Sequence, residues 1–305
     1  MPQGKLRPIH FLSSETCCVP YSSRVANRCI NRALRINSVR VMMRKKASAP
    51  GSKRRPKVPI ELISIADLPE IREGNDLAHV IVGAARNARI VFHNGDILVI
   101  AQKVVSKAEG RVMRLASVQP SARAAQLGAA RHKDPRLVEV ILQESRRIVR
   151  DDPVLIVETH HGFVCANAGV DHSNVPGEDA VTLLPRDPDR SARRIAAEIR
   201  KLTKKRIAVV ISDTFGRPWR LGLTNVAIGA AGVPVLRDLR GTRDRHSKPL
   251  QATILAVADE LAAAAGLVMG KSEGIPAVVI RGYRHRPADE RATSIIRPAA
   301  EDLFR

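Results

Sequence analysis

Two aspartates lie in segments whose composition could support chemistry. Asp171 follows 166–170, a run of small and polar residues that indicates neither helix nor strand, and such loops often carry binding sites. Asp213 follows the hydrophobic segment 206–211, so we expect it at the carboxyl end of a strand, where α/β proteins bind ligands. Two carboxylates and a hydroxyl would suit Mg²⁺ or Mn²⁺ carrying nucleotide phosphates. The structural alternatives are an Asx-turn at Asp171 and a helix cap at Asp213.

Cationic side chains accompany these acids. Arg217 and Arg220 follow Asp213 closely, and Lys107 lies in the polar segment 102–110. Such groups stabilise the negative charge that develops during phosphoryl transfer. We therefore predict Lys107, Asp213 and Arg217 as catalytic residues.

The tripeptide Gly270-Lys271-Ser272 suggests a phosphate loop, but its context does not fit one. A Walker A motif needs a glycine at position 265, which is alanine here, and Gly266 is one residue too close. The segment before it also has the pattern of a helix rather than a strand. The loop could still approach phosphates through its backbone in another geometry.

Hydrophobic patterning predicts the elements that position these residues. Strands are expected over 59–65, 96–101, 154–158, 206–211 and 277–280, and helices over 76–88, 121–132, 135–149, 191–203 and 250–265. Asn75 is the expected cap of the first helix, and Asp134 with Pro135 should begin the third. The irregular alternation predicts a mixed α/β (α+β) fold of two subdomains, neither a P-loop nor a doubly wound fold.

The net charge of +21 is concentrated in the first 57 residues. Residues 1–57 hold 14 Lys or Arg against Glu15 alone, which gives +13, and residues 58–305 hold 37 bases against 29 acids, which gives +8. We interpret 1–57 as a basic, disordered leader and 58–305 as the catalytic domain. Translation starting at Met42 or Met43 and a basic arm for RNA or anionic surfaces are the alternatives for the leader.

The cysteines and the hydropathy of the chain indicate its cellular compartment. Cys17, Cys18 and Cys29 lie in the leader, so Cys165 is alone in the catalytic domain and has no internal disulfide partner there. This favours the reducing cytoplasm, and we expect Cys165 to be packed and inert. No apolar run approaches the roughly 18 residues of a membrane-spanning helix.

Five short motifs follow one another along the chain. They are Leu68-Pro69-Glu70-Ile71 with Glu73-Gly74, Lys107-Ala108-Glu109-Gly110, Ala166-Asn167-Ala168-Gly169-Val170-Asp171 with Ser173-Asn174, Ser212-Asp213-Thr214-Phe215-Gly216-Arg217, and Met269-Gly270-Lys271-Ser272-Glu273-Gly274-Ile275-Pro276. Together, across about residues 58–284, they resemble the coenzyme F420-0:γ-glutamyl ligase family.

The resemblance implies an activity. GTP would phosphorylate the terminal carboxylate of a deazaflavin coenzyme F420 precursor, and the amine of L-glutamate would displace phosphate to form a γ-glutamyl amide. It also implies the family's two-part α/β architecture, commonly a homodimer, without nucleic-acid or membrane partners. A nitroreductase-like domain is not expected, since the chain ends at Arg305.

The resemblance also assigns ligands. Asp171 and Asp213 would bind one Mg²⁺ or Mn²⁺ and Thr214 a second divalent cation, with a monovalent cation as a further ligand of the site. The residues implied around GTP are Leu68, Pro69, Glu70, Ile71, Gln102, Lys107, Asn174, Met269, Gly270, Lys271, Ser272, Glu273, Gly274, Ile275 and Pro276.

Two residues depart from the family pattern. Gln102 stands where some relatives have Ser, which keeps a hydrogen-bonding group. Lys271 stands where Gln or an acid would help to hold the second cation, and a protonated ammonium cannot ligate a metal. Lys271 could instead contact a phosphate, or it could be a solvated lysine of the loop. An amide ligase acting on another acid and a basic nucleic-acid-binding protein are the rival functions, although aromatic residues make up only 3% of the chain.

Overall fold

The computed structural model describes residues 59–175, 177 and 179–302. The predicted leader, together with both alternatives for it, lies outside the described residues. Within the described ranges, no helix is both long and apolar enough to cross a membrane.

Short strands and helices alternate along the described part of the chain. The strands are β1 (Glu61–Ile65), β2 (Ile97–Ala101), β3 (Val112–Arg114), β4 (Ser145–Arg150), β5 (Ile156–Thr159), β6 (Val164–Ala166), β7 (Ala180–Thr182), β8 (Ala208–Arg217), β9 (Arg220–Ala231), β10 (Arg237–Asp238), β11 (Ile254–Leu255) and β12 (Ala277–Arg281). The helices are α1 (Leu77–Asn87), α2 (Gln102–Ala108), α3 (Ala122–Ala129), α4 (Pro135–Gln143), α5 (Pro188–Thr203) and α6 (Val257–Met269).

The central sheet has the strand order β1-β12-β2-β8-β9. β2 and β8 are parallel, while the other neighbouring strands in this sheet are antiparallel. A doubly wound fold needs a mostly parallel sheet, so the mixed α/β prediction is confirmed. The β8–β9 pair is the longest, since it continues from Val209 opposite Ala231 to Arg217 opposite Arg220.

Helices cover both faces of this sheet. Ile81 of α1 and Ile195 of α5 join Ile211 of β8 in one buried cluster. Leu261 of α6 joins Val210 of β8 in a second cluster on the opposite face. Successive side chains of β8 therefore point to opposite faces, as strand geometry requires.

A third hydrophobic cluster lies apart from the central sheet. Leu115, Val138, Ile141, Val157 and Val181 pack together there, beside the small sheets β3–β7 and β4-β5-β6. The division of the catalytic domain into two subdomains stays a prediction.

The first helix confirms the predicted position but not its cap. The carboxylate of Asp76 accepts from the backbone N–H groups of Ala78 and His79, at 3.0 and 3.1 Å. The side chain of Asn75 instead accepts from the backbone N–H of Arg72 at 2.8 Å. Asp76 is therefore the N-cap, and Asn75 closes the turn before it.

The predicted helix 135–149 is wrong in its second half. Asp134 and Pro135 begin α4 as predicted, but α4 ends at Gln143 and 145–150 forms β4. Ile148 and Val149 are β-branched and favour a strand once β5 is available as a partner.

Other boundaries shift by a few residues. Helix α6 begins at Val257 rather than at 250, because 254–255 pairs with β10. Helix α5 begins at Pro188, with Asp187 as its N-cap, and α3 ends at Ala129 rather than 132. The Gly270 segment follows the end of α6, which agrees with the exclusion of a phosphate loop.

Candidate functional site

Asp213 lies inside a strand rather than at its end, which corrects the sequence prediction. β8 continues to Arg217 because β9 pairs with it from Val209 to Arg217. The parallel neighbour β2, however, is last paired at Ala101 opposite Ser212. Asp213 is therefore the first residue of β8 beyond the end of β2, where the sheet opens on that side.

Asp171 is fixed by backbone and side-chain hydrogen bonds. It exchanges two backbone hydrogen bonds with Thr182, of 3.1 and 2.9 Å. Its carboxylate accepts from the backbone N–H of Ser173 at 2.8 Å and from the Ser173 hydroxyl at 3.0 Å. The Asx-turn proposed as the structural alternative is present, and Asp171 still faces the charged groups described below.

The two aspartates influence each other electrostatically. The pKa of the Asp213 carboxyl is raised to about 6, first by burial and then by the negative charge of Asp171. The backbone N–H of Thr214 and the charges of Lys103 and Lys271 act in the opposite direction. Because interactions between charges weaken with distance, this coupling indicates that the two carboxylates lie near each other.

The pKa of Asp171 moves the other way. Partial burial by itself raises this pKa, but the hydrogen bond from Lys103, with help from Ser173, holds it below the usual value. Lys103 Nζ lies 2.6 Å from Asp171 Oδ2 and 2.9 Å from the carbonyl oxygen of Ser173, and it also donates to the Ser173 hydroxyl. The Asp171 carboxylate thus already forms an ion pair with the Lys103 ammonium.

Helix α2 carries two lysines on one face. Lys103 and Lys107 are four residues apart, so their side chains point in the same general direction. Lys103 reaches Asp171, and Lys107 Nζ reaches Glu70 Oε1 at 2.6 Å. Lys103 is not among the predicted residues, although its spacing from Lys107 indicates it.

A third lysine belongs to the loop after α6. Lys271 Nζ donates to Thr214 Oγ1 at 2.5 Å, and that hydroxyl donates to Asn225 Oδ1 at 3.0 Å. Glu273 holds the loop by accepting from the backbone N–H groups of Lys271 and Ser272, at 2.7 and 2.9 Å. The loop predicted to contact a nucleotide thus reaches β8 directly.

Gln102 has an unused donor among the described residues. It is buried, its Oε1 accepts from the Ser106 hydroxyl at 2.8 Å, and its Nε2 has no hydrogen-bond partner in the described part of the chain. A buried N–H without a partner is costly, which favours a ligand oxygen at this position.

The structure also places several other predicted residues. Ile71 is buried and Leu68 packs against the same cluster, beside the Glu70–Lys107 pair. Asn174 is exposed with a φ of 57°. Arg217 is exposed at the end of β8, where it donates to the carbonyl oxygen of Leu221 at 2.9 Å.

Cys165 is buried in β6. Burial raises the pKa of its thiol to about 12, with a further contribution from the charge of Asp213. The thiol is therefore protonated at neutral pH and a poor nucleophile.

The arrangement suits a cation that arrives with phosphates. Among the described residues, no group of three or more His, Cys, Asp or Glu side chains is placed to hold a metal. Mg²⁺ is usually held by one or two carboxylates, with phosphates and water completing its shell. Asp171 and Asp213 fit that role, because a divalent cation would relieve their mutual repulsion.

The fold and the site together define a mixed α/β protein whose paired acids are flanked by lysines at a sheet opening. The family model described as F420-0:Gamma-glutamyl ligase matches residues 66–282. The chain belongs to this family, which confirms the predicted resemblance.

Several curated relatives are similar over most of the chain. The Coenzyme F420:L-glutamate ligase of Methanothermobacter thermautotrophicus is 47% identical over 250 residues, covering 81% of this chain and 99% of the relative. The protein of the same name from Methanopyrus kandleri is 48% identical over 242 residues, covering 77% and 94%. That of Archaeoglobus fulgidus is 42% identical over 247 residues, covering 81% and 96%.

Proposed function

We propose that this protein is a GTP-dependent, GDP-forming ligase that adds L-glutamate to a coenzyme F420 precursor. The observation that carries the proposal is the coupling of Asp171 with Asp213, flanked by Lys103 and Lys271. The names of the relatives supply the substrates. GTP as co-substrate favours the cytoplasm as the compartment.

The proposed reaction has two steps, formation of an acyl phosphate and its aminolysis. A carboxylate oxygen of the precursor attacks the γ-phosphorus of GTP, the bond to the β-phosphate oxygen breaks, and GDP leaves. The neutral amine of L-glutamate then attacks the acyl carbon, the bond to phosphate oxygen breaks, and the nitrogen loses a proton. The products are a γ-glutamyl amide, inorganic phosphate and GDP.

The chain's own residues bind and neutralise anions. Both steps gather phosphates and carboxylates, so the ammonium groups of Lys103, Lys107 and Lys271 would offset the accumulated negative charge. Gln102 would donate its free N–H to the nucleotide. Mg²⁺ or Mn²⁺, when bound by Asp171 and Asp213, would screen the phosphates and orient them.

We propose one divalent cation in this chain. The hydroxyl of Thr214, predicted to bind a second, is engaged by the Lys271 ammonium. This positive charge occupies the place where a second cation would need an oxygen ligand.

We further propose a homodimer formed through the β8–β9 hairpin. Leu221 and Leu223 on β9 are 98% and 68% exposed, and β9 is an edge strand of the central sheet. Large apolar side chains along an exposed edge mark an interaction surface. A second copy of the chain would cover them.

Mass spectrometry tests the function. The protein is incubated with GTP, Mg²⁺ or Mn²⁺, L-glutamate and the deazaflavin precursor, and the product should gain one glutamate while GDP and phosphate appear. Asp213→Asn should lose turnover by about a hundredfold or more, as expected when a preorganised charged group is removed. Its circular dichroism should remain that of the native protein.

Asp289→Asn is the matched control, because this carboxylate is 85% exposed and lies 3.8 Å from the Arg193 guanidinium. It should retain activity. If the wild-type protein forms no glutamate adduct, or forms one without GTP, the proposal is wrong. A gain of mass on a different acid would instead favour the rival amide ligase.

A further inference from the structure

A small cavity lies beside the Glu70–Lys107 pair. Its volume is about 200 Å³, and its wall is formed by Ile71, Arg72, Glu73, Lys107, Gly110, Val112, Arg114 and Ala180. Sites that enclose drug-sized ligands usually have roughly 300 to 1,000 Å³. We call this space the Arg72–Arg114 cavity, and its size suits a ligand smaller than a nucleotide or a deazaflavin.

Three charged side chains of this cavity are unused within the described part of the chain. The guanidinium groups of Arg72 and Arg114 make no ion pair or side-chain hydrogen bond with any described residue, and neither does the carboxylate of Glu73. The fourth charged group, Lys107, is already paired with Glu70. All three side chains are exposed, so the cavity offers two guanidinium groups and one carboxylate to a ligand that arrives from solvent.

The position of Glu73 depends on a glycine. A Cβ atom on Gly110 would lie 2.5 Å from Glu73 Oε1, and Gly110 has a φ of +67° that L side chains rarely adopt. The turn before α1 is fixed by a 3.0 Å hydrogen bond from the N–H of Gly74 to the carbonyl oxygen of Ala108. The carboxylate thus lies beside the α-carbon of Gly110, and both residues line the cavity.

The cavity adjoins the site of the paired acids. Lys107 belongs to its wall and shares helix α2 with Lys103, which contacts Asp171. Val112 of the wall is paired with Thr182, and Thr182 exchanges backbone hydrogen bonds with Asp171. A ligand in the cavity would therefore lie close to the group transferred at Asp171 and Asp213.

We propose that the Arg72–Arg114 cavity binds the amino-acid substrate, L-glutamate. Free glutamate carries two carboxylates and one ammonium, which is the complement of the two guanidinium groups and one carboxylate found here. Arginine binds carboxylates through two parallel N–H donors, so each guanidinium would hold one carboxylate of glutamate. Glu73 would hold the ammonium until it loses its proton and attacks.

This inference rests on the proposed ligase function and deepens it, because that function alone does not say where the amine donor binds. The arrangement of charges implies a specificity. Glutamine lacks one of the carboxylates and glutarate lacks the ammonium, so both should bind more weakly than L-glutamate.

Steady-state kinetics of Arg72→Gln, Arg114→Gln and Glu73→Gln test the inference. Each loses one charged contact, of about 1.5–3 kcal/mol, which corresponds to an increase of roughly 10- to 150-fold in the KM for L-glutamate. The KM for GTP and that for the deazaflavin precursor should not change by more than about twofold. Arg123→Gln, at an exposed position in the first turn of α3, is the control and should behave as wild type.

Binding without turnover provides an independent readout. Wild-type protein is titrated with L-glutamate, glutarate or glutamine, and binding is measured by calorimetry or NMR. L-glutamate should bind most tightly of the three. In Glu73→Gln the ratio of the affinity for L-glutamate to that for glutarate should decrease. In Arg114→Gln the affinities for both ligands should decrease by a similar factor.

The outcomes separate the two proposals. If the wild-type protein has no ligase activity, the proposed function is wrong, while direct glutamate binding still decides the cavity. If the enzyme is active but the three variants keep the wild-type KM for L-glutamate, the cavity proposal is wrong. A selective increase in the KM for GTP or for the precursor would assign the cavity to that substrate and would also overturn it.

Discussion

Lys103 and Asp171 form an ion pair in which Nζ lies 2.6 Å from Oδ2. A divalent cation that binds Asp171 must therefore compete with this ammonium. Lys103→Gln should tighten Mn²⁺ binding in the absence of nucleotide by up to about fivefold, the factor expected from the roughly 0.2–1 kcal/mol of a partly exposed pair. Titration of Mn²⁺ followed by electron paramagnetic resonance measures this affinity.

The same variant should lose turnover, since a positive charge near the phosphates is removed. This opposite effect on metal affinity and activity distinguishes Lys103 from a merely structural residue. Lys201→Gln is the control, because Lys201 is an exposed residue of α5 paired with Glu198. Weaker Mn²⁺ binding in Lys103→Gln would contradict the proposed competition.

Lys271 should decide the number of divalent cations. Its ammonium contacts Thr214 Oγ1 at 2.5 Å, so wild-type protein with GTP should bind one Mn²⁺ per chain. Lys271→Gln frees the hydroxyl and supplies an amide oxygen, and it should allow a second, weaker Mn²⁺. Lys271→Arg keeps the charge and should still bind one. Two equivalents of Mn²⁺ in wild-type protein would show that the lysine moves away.

Part of this site could be predicted from residue types and motif order. Asp171 is predicted because it lies in a run of small and polar residues, and Asp213 because it follows a hydrophobic segment. Lys103 was missed because a lysine at a helix start has the same local pattern as a solvated one. Only the tertiary approach of α2 to Asp171 distinguishes it, and that approach depends on residues distant in sequence.

The elements of the fold also differ in how far the local sequence predicts them. The cap Asp134 and the buried strands β2 and β12 have strong local patterns, and the sequence predicts these elements. The extension of β8 through Asp213 to Arg217 was not predicted, because residues 212–217 are mostly polar and become a strand by pairing with β9. The helix predicted over 135–149 is wrong at β4 for a similar reason, since the pairing of β4 with β5 leaves no local signal in the sequence.

The β8–β9 hairpin should control the oligomeric state. Leu221 is 98% exposed, so Leu221→Asp should leave the folded chain intact while placing a charge within the proposed contact. Sedimentation velocity should show a shift from dimer to monomer. The dissociation constant of the dimer should rise by about tenfold or more, which corresponds to a loss of roughly 1.4 kcal/mol or more of binding free energy. Val91→Asp, at a site 64% exposed in the segment before β2, should remain dimeric. A monomeric wild-type protein would exclude this interface.

Two glycines should respond in opposite ways to the same substitution. A Cβ on Gly229 of β9 would lie 2.5 Å from the carbonyl oxygen of Pro188, at the start of α5. Backbone cannot rotate away as a side chain can, so Gly229→Ala should lower the free energy of unfolding by about 1–3 kcal/mol or more. Gly83 lies in the middle of α1, and a Cβ there would have no atom within 4 Å, so Gly83→Ala should raise this free energy by roughly 0.4–1 kcal/mol. Urea unfolding of both variants measures the difference, and equal effects would mean that α5 does not pack on β9 as described.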